Sequence, residues 1–109
     1  MNKYTTNEEL KNSLQSDFKN CKLSDNTIII YNRIIDGCLS LSNFRNYSYN
    51  YKQEMKDVAI LKICKYWKNI DVNSNIFSYL TTMITRAFIE TIKRLNKEND
   101  ILELYYDRS

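Results

Sequence analysis

No proline interrupts this sequence, and its 109 residues hold one glycine, Gly37. Proline breaks helix interiors, and glycine supplies the left-handed positions of tight turns. A chain nearly free of both has little punctuation and no broken helix, which predicts an all-α fold. The length fits one domain with at most a terminal appendage, enough to bury a core without a metal or disulfide staple. A hydrophobic content of 43% is near the globular norm and argues against wholesale disorder.

Apolar spacing divides the chain into a small bundle of four helices. The first is expected over 5–19, with Thr6 as N-cap, Glu9 three residues later, and Leu10, Leu14 and Phe18 on one face. The second is expected over 25–41, capped by Ser24 or Asp25, with Ile28, Tyr31, Ile35, Cys38 and Leu39 at helical spacing. A polar, tyrosine-rich connection, "RNYSYNYKQE", leads into the third helix over 51–68. There Met55, Ala59, Ile63 and Trp67 step by four along one side, with Tyr66 at the rim. The loop "NIDVNSN" has Asx-turn chemistry, and Asn73 or Asn75 can cap the last helix, expected over 76–97. Its apolar face is Phe77, Leu80, Ile84, Ala87, Phe88, Ile92 and Leu95.

The side-chain inventory narrows the chemistry. Histidine is absent, which removes the commonest general base and metal ligand. Cys21, Cys38 and Cys64 are widely spaced with no metal-ligand pair, and read as reduced thiols of a cytoplasmic protein. No glycine-rich phosphate loop and no acid/base pair of carboxylates stands out, so neither an enzyme, a metal nor a cofactor is expected. No apolar run approaches the ~20 residues of a membrane span, so no membrane partner is expected either.

Two stretches carry more information, "NFRNYSYNYKQEMKDVAILKICKYWKNID" and "NSNIFSYLTTMITRAFIETIKRLNKEND". One helix bears "KQEM", turns through an aromatic and "NID", and feeds a second helix through "FSYLT" that ends in "IKRLNKE". This order resembles the second region of bacterial sigma factors. With "KYTTNEEL" and "DNTIIIYNRIIDG" added, it is similar over about residues 3–99 to the late-transcription sigma factors of T-even-like bacteriophages. The resemblance implies a sigma-like helical domain over 1–99, acting in the cytoplasm of an infected bacterial cell. Its implied partners are the core RNA polymerase, through the coiled coil of the clamp, and promoter DNA at a minus-ten-like AT-rich element.

The resemblance maps Asn50, Gln53, Glu54, Lys56 and Asp57 onto the polar face that sigma factors present to the polymerase clamp. The plainer reading of that stretch is an ordinary amphipathic helix. On the last helix, Arg86, Lys93, Arg94 and Lys97 supply cations that hold backbone phosphates and fix register. Tyr79 is placed to stack on an extruded base, and Thr82, Met83, Arg86 and Glu90 to touch base edges or a thymine methyl. The plainer reading here is a solvated helix face. Primary sigma factors carry two adjacent tryptophans where this sequence has Thr82 and Met83, which implies weak unaided promoter melting. With no third or fourth sigma region expected, no minus-thirty-five element would be read. The competing readings are a small phage co-activator or inhibitor that binds polymerase without reading DNA, and an unrelated helical DNA-binding protein.

The sequence closes on "NDILELYYDRS". Asp100, Glu103 and Asp107 against Arg108 give this end a net charge of −2, leaving +5 of the overall +3 for the remainder. One reading continues the last helix and tucks Leu102 and Tyr105 onto the domain. The other makes residues 100–109 a separate acidic-hydrophobic tail. The resemblance then implies that Ile101, Leu102, Leu104, Tyr105 and Tyr106 anchor it to a phage sliding clamp, alongside a co-activator.

Overall fold

The computed structural model describes residues 7–107. Four α-helices form the bundle, α1 Asn7–Asn20, α2 Asp25–Leu39, α3 Tyr49–Tyr66 and α4 Ile76–Asp107, and no strand occurs among the described residues. The all-α expectation holds. The Thr6 cap lies outside the described residues.

Helix α1 buries Leu10 and Leu14 and half-buries Phe18. No glycine marks its end. Cys21 takes the left-handed conformation at φ 55°, its N–H bonds to Phe18 O at 3.3 Å, and Lys22 N–H reaches Asp17 O at 3.1 Å. This is a Schellman C-cap built on a residue with a Cβ. Ser24 then caps α2, its Oγ accepting from Thr27 N–H at 3.3 Å. The buried side of α2 is centred on Ile30, Tyr31, Ile34, Ile35 and Cys38. Ile28 and Leu39, expected in the core, pack at its edge. The helix stops two residues early because Ser40 turns its Oγ onto Gly37 O at 2.7 Å.

The α2–α3 connection is anchored by Phe44, which is buried and meets Phe88 edge-on at 5.1 Å. Helix α3 begins at Tyr49, two residues before the expected start, since Ser48 Oγ accepts from Tyr51 N–H. Met55, Ala59 and Ile63 are buried as their spacing required. Trp67 belongs to a 3₁₀ turn, Trp67–Asn69, and packs on Phe18 with ring centroids 5.0 Å apart. Asp71 forms the Asx turn of the following loop by accepting from Asn73 N–H at 2.9 Å. Of the two candidate caps of α4, Asn75 is used, accepting from Ser78 N–H at 3.1 Å.

Helix α4 packs mainly against α3 and also touches α1 and α2. It buries Ile76, Leu80, Ile84, Ala87, Phe88 and Ile92, while Phe77 and Leu95 are half-buried. It continues ten residues past the expected end at Lys97. Neither glycine nor proline stops it, and Arg94 bonds to Glu98 one turn on, at 3.2 Å. Its 32 residues make about 48 Å of rod, which accounts for most of the 58 Å long axis of the molecule.

Two polar features sit inside the bundle. Buried Asp17 accepts from Thr27 Oγ1, tying α1 to α2. The buried Tyr31 hydroxyl has no hydrogen-bond partner among the described residues. Burial foremost, then the nearby Cys64 and Asp17, raise the Tyr31 pKa. Burial likewise pushes the Cys38 thiol up to about 11 and raises that of Cys64.

Candidate nucleic-acid interface

Helices α3 and α4 leave an open groove of about 520 Å³ between the end of α3 and the first half of α4. One wall is the stripe expected from sequence, Tyr79, Thr82, Met83, Arg86 and Glu90, at helical steps of three and four. The other wall is Lys62 and Tyr66 of α3 with Asn69 of the 3₁₀ turn. The two tyrosines are similarly accessible, Tyr66 at 41% and Tyr79 at 40% exposure. Lys62 Nζ donates to Glu90 Oε2 across the groove. Lys65 Nζ lies 5.3 Å from the centre of the Tyr66 ring.

The four cations expected to meet phosphate differ in how they are engaged. Arg86, Lys93 and Lys97 are exposed and form no ion pair among the described residues. Arg94 is committed: it donates to Glu54 Oε2 of α3 at 3.0 Å and to Glu98 Oε1 at 3.2 Å, and these hydrogen bonds raise its pKa. Such an arrangement offers phosphate contacts at Arg86, Lys93 and Lys97 and two aromatic surfaces for an unstacked base.

The five residues mapped to polymerase docking do not share one face. Asn50, Gln53, Glu54 and Asp57 are all exposed, and Gln53 and Glu54 each lie three or four residues from both Asn50 and Asp57, which sets the four on one side of α3. Lys56 is half-buried and reaches Asp36 of α2 at 2.9 Å. Glu54 is shared with Arg94, so the docking side of α3 adjoins the cationic side of α4.

At the far end of α4, Ile101, Leu102 and Leu104 are 56%, 51% and 59% exposed. The helix continues, as one reading of the sequence held, but Leu102 is not tucked onto the bundle. The side chains of Tyr105 and Tyr106 lie outside the described residues.

Sequence reasoning missed Lys62, Tyr66, Asn69 and Ser78 as groove residues. Lys62 and Tyr66 are four apart on α3, a spacing that marks a shared side, yet nothing in the sequence pairs that side with α4. Among the described residues, no group of three or more Cys, Asp and Glu side chains is placed to hold a metal ion. No helix among them is long and apolar enough to cross a membrane.

No family model matches the chain, and no solved structure does. Over 121 aligned residues, 97% of the chain is 32% identical to a segment of "Probable polyketide synthase 39" from Dictyostelium discoideum. The chain spans 4% of the length of that protein, so this likeness assigns it to no family.

Proposed function

We propose that this chain is a minimal sigma-like factor of the kind that directs late transcription in T-even-like phages. One side of α3, with Asn50, Gln53, Glu54 and Asp57, docks on the clamp of a bacterial core RNA polymerase. The α3–α4 groove takes an unpaired base of an AT-rich minus-ten-like element, and Arg86, Lys93 and Lys97 hold the adjoining phosphates. The chain performs no chemistry of its own; it positions the polymerase in the cytoplasm of the infected cell. The overhanging end of α4 engages a sliding clamp.

The observation that carries this reading is the groove itself, where Tyr66 and Tyr79 stand beside Lys62 and Arg86. Aromatic surface with cations at its edge is the combination that holds single-stranded nucleic acid. The test is binding of a forked, AT-rich promoter DNA by the chain alone, by core polymerase alone, and by both. A complex that needs both and prefers the forked DNA over a duplex of the same sequence supports the reading. Equal binding of forked DNA by core polymerase with and without the chain would overturn it.

A second reading, a polymerase-binding regulator that does not touch DNA, draws support from the ion pairs. Lys62–Glu90 neutralises a cation that lines the groove, and Arg94–Glu54 one of the four cations expected to meet phosphate. A chain that binds core polymerase yet adds nothing to promoter capture is what this reading expects.

A further inference from the structure

The tyrosine-rich stretch around the start of α3 lines no part of the groove, and only its Asn50 and Gln53 belong to the docking side. Residues 41–53 contain three tyrosines, Tyr47, Tyr49 and Tyr51, the cations Arg45 and Lys52, and no carboxylate. In a chain with 13 Asp and Glu, such an acid-free aromatic stretch stands apart from the mixed-charge surface around it.

Contacts within the chain hold much of this stretch in place. The rings of Tyr47 and Tyr51 stack at 5.7 Å with 11° between their planes. Tyr51 Oη donates to Asn96 Oδ1 at 2.8 Å and accepts from Asn99 Nδ2 at 2.8 Å, which pins the pair to α4. Upstream, Phe44 locks the connection into the core, and Arg45 N–H and Phe44 N–H both bond to Leu41 O at 2.9 Å. Lys52 Nζ donates to Arg45 O at 2.5 Å, so its ammonium stays over the same turn. On the same stretch Tyr49 stands out at 75% exposure, the highest among the described large apolar side chains.

We infer that this shelf is a second binding site for single-stranded nucleic acid, with Tyr49 stacking on an unpaired base and Arg45 and Lys52 attracting the backbone. A rigid aromatic surface loses little conformational freedom on binding, and every base offers it a π-face. The cations without carboxylates favour a polyanion over a neutral or basic partner. The shelf lies at the start of α3 and the groove at its end, 17 residues along the helix from Tyr49 to Tyr66. That is about 25 Å, a distance that a single strand of 16 nucleotides can span. A strand long enough to reach both sites gains from each. The inference does not depend on the groove reading, because the shelf binds whether or not the groove does.

The test is fluorescence anisotropy of the full-length chain with labelled oligothymidylate of 16 nucleotides, using Tyr49→Ala, Tyr49→Phe and Arg86→Ala. Wild type should bind the single strand more tightly than a duplex of equal length. Tyr49→Ala should weaken binding roughly 5- to 150-fold, the range of one base–aromatic stack, while Tyr49→Phe stays close to wild type. The factor lost with Tyr49→Ala should be the same in the Arg86→Ala background, as expected of separate sites. Circular dichroism of Tyr49→Ala should match wild type, since the side chain is exposed. The inference is overturned if Tyr49→Ala binds like wild type, or if Tyr49→Phe loses as much as Tyr49→Ala. A Tyr49→Ala variant that loses polymerase capture with oligonucleotide binding intact would also overturn it, assigning the shelf to a protein partner.

Discussion

Arg94 of α4 and Glu54 of α3 are joined at 3.0 Å, linking a residue expected to face DNA with one expected to face polymerase. Both side chains are about half exposed, and Glu98 engages the other terminal nitrogen of the same guanidinium at 3.2 Å. A substitution at Glu54 therefore perturbs both surfaces. Gln53 and Asp57 lie on the same side of α3 and form no ion pair among the described residues. Gln53→Ala with Asp57→Arg should abolish capture by core polymerase and leave the melting temperature near that of wild type. A pull-down that retains this double variant would place docking elsewhere.

Arg86 lines the groove without an ion-pair partner among the described residues. Arg86→Ala should weaken promoter-dependent transcription and leave core binding intact. Losing one phosphate contact should also make the plot of log affinity for DNA against log salt shallower by about one unit. An unchanged slope would mean that Arg86 touches no phosphate.

Ile84 is a fully buried residue of the core on α4. Ile84→Ala should leave a cavity costing about 2–5 kcal/mol, a large part of the stability of a small domain. Thermal and urea melts read this directly. A variant that unfolds at the wild-type midpoint would contradict the burial.

Tyr31 is the reverse case. Its hydroxyl is buried without a partner among the described residues, so it bears the desolvation cost of a polar group and gains no bond in return. Tyr31→Phe keeps the ring and should stabilise the chain by about 1 kcal/mol. Urea denaturation checks this, and a destabilised variant would show that the hydroxyl has a partner in solution.

Among the described side chains, deleting residues 101–109 removes the exposed Ile101, Leu102 and Leu104 and none of the buried core. The truncated chain should melt as wild type, bind core polymerase and support basal transcription. Stimulation by the cognate phage sliding clamp should disappear. Loss of basal activity to the same extent would show that this end serves the domain itself.

Much of the fold was legible because helical burial leaves a period. Met55, Ala59 and Ile63, and Leu80, Ile84 and Phe88, were assignable to a core from their spacing alone. Phe44 was not, because it enters the core from a connection where no period exists. Cys21 was not, because a left-handed cap is normally sought at glycine or asparagine. For the candidate site, the α4 stripe was readable but the opposing wall was not. Periodicity orders residues around one helix and is silent about which polar side chains of two helices will meet. Lys62 with Glu90 and Arg94 with Glu54 are separated by 28 and 40 residues, and only their packing brings them together.

The unbroken course of α4 makes it a calibrated spacer. Groove and overhang ride on one rod, so Tyr79 and Leu104 are held about 38 Å apart at a set azimuth. A partner gripping Ile101 and Leu104 is thereby aimed relative to whatever lies in the groove. One residue inserted near Asn99 would lengthen the rod by only about 1.5 Å but swing the overhang by about 100°. Seven would lengthen it by about 10 Å and restore the bearing to within about 20°. Coupling between the two ends is thus a matter of phase as much as of reach.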